Sequence, residues 1–190
     1  MNSELSIDPA IRRRNRIALV VLIAIFVLPF LGAGVLNLMD WRPAHGINHG
    51  ELLNPPLKLT GLPLYQADGS VYTFAPQERR WQIAVVPTPD CDSACGAELI
   101  AGLDKVWRLQ GRRAERLQVL WFGEVPATAL PFRNLIAMRA DAEVLGHFPN
   151  LPESGPPAIY LIDSFGFLAM RYAPGVDLAD LRADIAKLLK

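Results

Sequence analysis

Cys91 and Cys95, set as Cys91-Asp92-Ser93-Ala94-Cys95, are the two cysteines of a 190-residue chain. They fall where an apolar run, Trp81 to Val86 (WQIAVV), gives way to residues with helical spacing. Two thiols at a strand-to-helix turn can form a disulfide or, as thiolates, hold a soft metal ion. The exposed N–H groups and positive dipole end of a helix N-terminus stabilise a thiolate at Cys91. Cys95 lies one turn further on, on the same side. With Cys91 in a non-helical conformation, the two Cα atoms come within the ~4.4–6.8 Å that a disulfide needs. Asp90 and Asp92 flank Cys91, and like charge disfavours a thiolate. The expected thiol is therefore less acidic than that of a strong oxidant, and suited to a stable disulfide or a metal. A plain stabilising bridge is the alternative. So short a loop stabilises little on the chain-entropy argument, because the gain grows with loop length. The polar Asp-Ser flanks count against two buried free thiols.

The elements that must position this pair follow from pattern. Leu57 to Tyr65 and Val71 to Phe74 flank Asp68-Gly69, a hairpin signal. WQIAVV, ending at Pro87, suits a buried strand. Over Ala94 to Leu109, Leu99, Leu103, Val106 and Trp107 recur at three- and four-residue steps, with Asp92 or Ser93 as N-cap and Gly111 as the stop. Leu117 to Phe122 (LQVLWF) is the next buried strand. Two apolar strands joined by a helix predict a right-handed βαβ unit. Leu135 to Met138 is expected as a short strand and Ala142 to Phe148 as a short helix. Ala158 to Ile162 (AIYLI) and Phe167 to Tyr172 read as an antiparallel pair around Asp163-Ser164-Phe165-Gly166. Asp177 to Leu189 reads as an amphipathic helix capped by Asp177. The fold class is α/β, with a central mixed sheet flanked by helices.

The 51% hydrophobic content owes much to one segment. Ile17 to Leu36 is uncharged and long enough to cross a bilayer core of ~30 Å, and Pro29 is tolerated in membrane helices. The expected organisation is residues 1–16 cytoplasmic, 17–39 a membrane anchor, 40–56 a tether and 57–190 the folded domain. Arg12, Arg13, Arg14 and Arg16 precede the span, so the positive-inside rule puts the N-terminus in the cytoplasm and the domain outside, in a periplasmic or other extracytoplasmic space. A cleaved signal peptide is the alternative, with Gly32, Ala33 and Gly34 as small residues, although the apolar run exceeds the usual ~7–15 residues. An exported domain sits where disulfides persist. Four of the 19 Lys+Arg and two of the 19 Asp+Glu precede the span, so the rest is close to neutral. That leaves no electrostatic footprint for nucleic acid.

The order hairpin, strand, helix, strand, crossover, strand, strand, helix is that of a thioredoxin-like fold. In such folds a cis proline stands before the strand that faces the cysteines. Pro157, in Gly155-Pro156-Pro157-Ala158, fits by position, and X-Pro bonds are those where cis is cheap. The chain resembles the Sco/SenC family of membrane-tethered thioredoxin-fold proteins. The resemblance rests on the single N-terminal anchor, the C-x3-C spacing, Thr88, the Ile159-Tyr160-Leu161-Ile162-Asp163-x-x-Gly166 strand-turn and the last helix, and it covers roughly residues 57–190. It implies copper delivery and thiol redox control in assembling the CuA centre of cytochrome c oxidase. The implied partners are an oxidase subunit or another thiol or copper protein at the inner membrane. The family's prolines after each cysteine are replaced here by Asp92 and Gly96, and the place of its copper-ligand histidine is Gly155. His147, eight residues upstream, is the candidate substitute; His45 and His49 read as linker. Cys91 and Cys95 alone can hold Cu(I) through sulfur. Two other functions remain open. One is a general thiol–disulfide oxidoreductase, although those usually carry C-x2-C. The other is a non-enzymatic partner-binding domain, using Leu130, Pro131 and Phe132. A peroxiredoxin pattern is met only in part, at Pro87, Thr88 and Cys91.

Overall fold

The computed structural model describes residues 9–38 and 48–189. The chain divides into two units, residues 1–46 and 47–190. The first holds one helix, α1 (Pro9–Leu38). Within Ala10–Leu36 the most apolar stretch has a mean hydropathy of 2.9 and none of it is buried, so length and composition suit a membrane span.

The second unit is a six-stranded sheet in the order β1-β6-β5-β2-β3-β4, with β1 Glu51–Lys58, β2 Trp81–Val86, β3 Leu117–Phe122, β4 Leu135–Met138, β5 Ala158–Ile162 and β6 Phe167–Arg171. β2, β3 and β4 run parallel, and β5, β6 and β1 add antiparallel neighbours. This is the mixed thioredoxin-like sheet that the element order predicts.

Alternation along the central strands divides the core in two. Ile83, Val85, Val119, Trp121, Ile159 and Leu161 face α2 (Ser93–Arg108) and α4 (Leu178–Leu188), meeting Ile100, Leu103, Val106, Leu181 and Ile185. Ala84, Val86, Leu120, Phe122, Tyr160 and Ile162 face the other way, onto Leu59, Leu64, Tyr72 and α3 (Ala142–Leu145). Burial on both faces explains why β2, β3 and β5 read as unbroken apolar runs. The Tyr160 hydroxyl donates to the Pro149 carbonyl at 2.7 Å, and burial pushes its pKa up to about 12.

Two expectations about the strands need correction. Residues 51–56, assigned to the tether, belong to β1, which pairs with β6 and holds Leu52 opposite Met170. Pro55 and Pro56 lack N–H donors and so read as linker, but an edge strand accommodates them across a register shift between Leu52 and Leu57. The 57–74 hairpin is reduced to a turn: Tyr65 bridges Val71, the Gln66 amide donates to Ser70, and Gly69 takes φ 88. The rest of its first arm leaves for β1 and the core.

His49 is not free linker. Its amide donates to Asp184 Oδ2 at 2.7 Å, its ring Nδ1 lies 3.1 Å from Oδ1, and its Nε2 lies 3.3 Å from Asp180. Asp184 is 1% exposed and also receives the Gly50 amide (3.1 Å), Lys187 Nζ (3.0 Å) and the Tyr172 hydroxyl (3.4 Å). Burial pushes this carboxyl's pKa up, but the Gly50 amide, Lys187 and both His49 contacts outweigh it and hold the value below the usual carboxylate range. His45 lies outside the described residues.

Candidate functional site

β2 delivers the chain to Pro87 and α2 carries it back, so residues 88–92 make the turn at the C-terminal edge of the sheet. The Cys91 amide donates to the Thr88 carbonyl at 3.0 Å. Asp92 is the N-cap of α2 in an extended conformation, and its carboxylate accepts the Cys95 amide at 2.9 Å. This geometry leaves Cys91 outside the helix and Cys95 in its first turn. The two sulfurs are joined in a disulfide, with Cα atoms 5.2 Å apart.

A second loop closes on this turn. Thr88 Oγ1 donates to the Gly155 carbonyl, and the Gly155 amide donates to Asp90 Oδ2 at 2.8 Å. Gly155 therefore spends both backbone polar groups holding the cysteine turn, in a left-handed conformation of φ 86 that favours glycine. Sequence reasoning marked this place by a histidine it lacks and missed what its glycine does. The pairing of Thr88 and Asp90 with one distant glycine leaves no local pattern to find.

Both cysteines are half-buried, and each borders its own cavity. Cys91 opens on a space of about 360 Å³ lined by Asp92, Gly96, Trp121, Glu124 and Pro126. Cys95 opens on one of about 290 Å³ lined by Glu98, Leu99, Pro157, Ile159, Val176 and Leu178. The first is held open by the segment after β3, where the Trp121 indole donates to the Glu124 carbonyl at 3.1 Å. Among the described residues, no cation lines either space.

The structure thus brings Pro157 to Cys95. It does not make its peptide bond cis: among the described residues the cis bond is Asn54–Pro55. The turn before β5 is taken instead at Gly155. His147 is exposed just after α3, its Nδ1 lies 2.8 Å from the Glu143 carbonyl of that helix, and it lines neither cavity. Among the described residues, no three His, Cys, Asp or Glu side chains converge as a metal site. A soft ion would find only the two sulfurs, and only after the bridge is reduced. In the loop read as a partner contact, Leu130 is 85% exposed, whereas Phe132 packs on Trp107 at 5.8 Å between centroids.

What this arrangement can do is exchange thiols for a disulfide at an accessible bridge. Solved structures are similar to the chain. BsSco, described as a member of the Sco family of cytochrome c oxidase assembly proteins with a disulfide switch, aligns at 13% identity over 70% of this chain and 94% of its own (TM-score 0.51). A putative electron transfer protein from Aquifex aeolicus VF5 aligns at 14% identity over 71% and 97% (TM-score 0.50). Copper-bound ScoI from Bradyrhizobium japonicum aligns at 17% identity over 70% and 97% (TM-score 0.46). No curated protein matches the chain. Residues 81–190, more than half of the chain, match the family described as the transmembrane-like, thioredoxin-like, C-terminal domain, and the protein belongs to that family.

Proposed function

We propose that the protein is a membrane-anchored thiol–disulfide exchange factor working at Cys91–Cys95. The observation that carries this is the half-buried bridge at the start of α2, with a separate opening beside each sulfur. A partner thiolate attacks one sulfur, the Cys91–Cys95 bond breaks, and the other sulfur leaves as a thiolate that takes up a proton. A second partner thiol then displaces the mixed disulfide. The partner leaves oxidised, and the protein holds two thiols and two electrons more. The reduced pair runs the same steps backwards on a partner disulfide.

The finer reading is Sco-like service to cytochrome c oxidase, at its CuA centre, through thiol redox and Cu(I) held by the two sulfurs. The client would be an oxidase subunit or another thiol or copper protein. The proposed placement is the inner membrane with the domain on the periplasmic side, argued from the four arginines in the first turns of α1, just before its apolar span. General thiol–disulfide exchange without copper is the second reading. One observation favours it: the third-ligand place is Gly155, whose backbone groups are already engaged by Thr88 and Asp90.

The test is a Cu(I) titration of the reduced full-length protein in detergent, with Cys91→Ser and Cys95→Ser alongside, followed by its reduction potential. Copper handling requires wild type to bind one Cu(I) that neither variant holds. Equal binding by all three removes copper and leaves exchange. A bridge that resists reduction below about −300 mV removes exchange as well.

A further inference from the structure

The end of the domain opposite the disulfide carries unspent positive charge. β2 and β3 begin there, α2 ends there, and a 3-10 turn over Gly111–Arg116 joins α2 to β3. Arg116 gathers the pieces: its Nε donates to the Arg79 carbonyl at 3.4 Å and its Nη1 to the Leu189 carbonyl at 3.1 Å. The carboxylates here are already committed. Asp104 pairs with Arg108, Glu115 with Arg133 and Glu78 with Arg80. That leaves Arg79, Lys105, Arg112 and Arg113, all exposed, without an ion-pair partner among the described residues. Leu109 stands among them in sequence and is 62% exposed. An exposed apolar side chain with long cationic ones near it in sequence is the composition of a surface that meets lipid headgroups.

We propose that Arg79, Lys105, Arg112 and Arg113, with Leu109, form a docking face for anionic lipid headgroups. The choice of occupant rests on reading α1 as a membrane span. Residues 39–47 are all that separate α1 from the first described residue of the domain, and nine residues reach at most about 30 Å. A lipid surface is therefore the one anionic surface that the chain itself keeps within reach. Each cation beside such a surface strengthens binding roughly fivefold. Docked this way, α2 stands between bilayer and disulfide. Its 16 residues amount to about 24 Å, and the acidic cavities at Cys91 and Cys95 face away from the lipid, towards partners.

The experiment places the full-length protein in nanodiscs of phosphatidylcholine alone or with phosphatidylglycerol and follows hydrogen–deuterium exchange over residues 109–116. Co-elution with both discs reads α1 as an anchor. Exchange at 109–116 is expected to slow at least threefold on the anionic discs alone, to recover in high salt, to be unprotected in Arg112→Glu/Arg113→Glu, and to stay slow in Arg112→Lys/Arg113→Lys. Equal exchange on the two discs overturns the proposal, as does protection that survives charge reversal. Protection by soluble polyglutamate but not by either disc also overturns it, in favour of an acidic protein partner. Failure to co-elute with either disc removes both the anchor and the docking face, while leaving disulfide exchange untouched.

Discussion

Two polar centres of the domain, the Cys91–Cys95 turn and the Asp184 carboxylate, are treated in opposite ways. Asp184 is closed off from water and accepts from two backbone amides, a lysine and a tyrosine, with the His49 ring alongside. Its neighbours arrive from α4, from the end of β6 and from the residues before β1. The disulfide sits in a turn that Gly155 fastens through Thr88 and Asp90, and cavities lie on both sides of it. A polar group with its bonding capacity filled fastens chain segments together. One left beside open space is available for chemistry. Both centres tie distant parts of the chain, so burial and satisfaction separate fastener from reagent.

The sharpest way to break this contrast is Asp184→Ala. It leaves the His49 and Gly50 amides, Lys187 and Tyr172 without their acceptor, and should cost about 3 kcal/mol, read as a lowered midpoint in denaturant unfolding. The reduction potential of Cys91–Cys95 should not move. A shift of more than about 30 mV would mean that the two centres are coupled. The carboxyl's folded-state pKa is depressed. Its contribution is therefore present above the unfolded pKa near 4 and is lost as pH falls through the lower folded value. Wild type should lose stability over that acid range, and Asp184→Ala should show a flatter limb.

Cys91→Ser attacks the other side of the comparison. Exchange with a dithiol should be abolished, while stability falls by only about 2 kcal/mol, the chain-entropy value for so small a loop. If thermal unfolding shows a larger loss than Asp184→Ala, the bridge is a staple and the contrast collapses.

Gly96→Ala tests the cavity rather than the sulfur. A Cβ there would stand 2.7 Å from Pro126 Cγ and 3.5 Å from Trp121 Cζ2. Overpacking costs about 2 kcal/mol, offset by about 1 from the better helix former, leaving a net loss near 1. Displacing Pro126 reshapes the opening at Cys91. Stopped-flow reduction by a bulky dithiol should change severalfold, with the potential unchanged.

Much of the sheet was legible because its central strands are buried on both faces. β2, β3, β4 and β5 occupy the residues that their apolar runs mark, and Asp177 caps α4 through the Ala179 amide at 2.8 Å. β1 was not legible. Its pairing with β6 spans more than a hundred residues, and Asn54-Pro55-Pro56 carries the composition of a loop. Asp184 was hidden for a related reason: next to Ile185 on an amphipathic helix it looks like a solvent-facing position, and its partner at 49 lies 135 residues away. At the site, the cysteine spacing put the two Cα atoms within disulfide range but left a bridge and a soft-metal pair both open. The roles of Thr88, Asp90 and Gly155 depend on two loops meeting, which no single stretch of sequence encodes.

The finest test concerns Asp92, where fastening and chemistry meet in one side chain. Its carboxylate fills the Cys95 amide at the start of α2, an amide that would otherwise help to stabilise a thiolate at Cys91. Its charge also stands next to that sulfur in sequence. Asp92→Ser keeps a capping oxygen and removes the charge, so stability should change by less than about 0.5 kcal/mol. The reduced Cys91 thiol should become more acidic by about half a pH unit, read from the pH dependence of its alkylation rate, and the bridge correspondingly more oxidising. Asp92→Ala removes the cap as well and should cost about 1 kcal/mol. If the two variants alkylate alike and differ only in stability, the charge of Asp92 acts on Cys91 independently of the cap. If neither moves the thiol, Asp92 is a fastener only, and the low acidity expected of Cys91 has its source in Asp90.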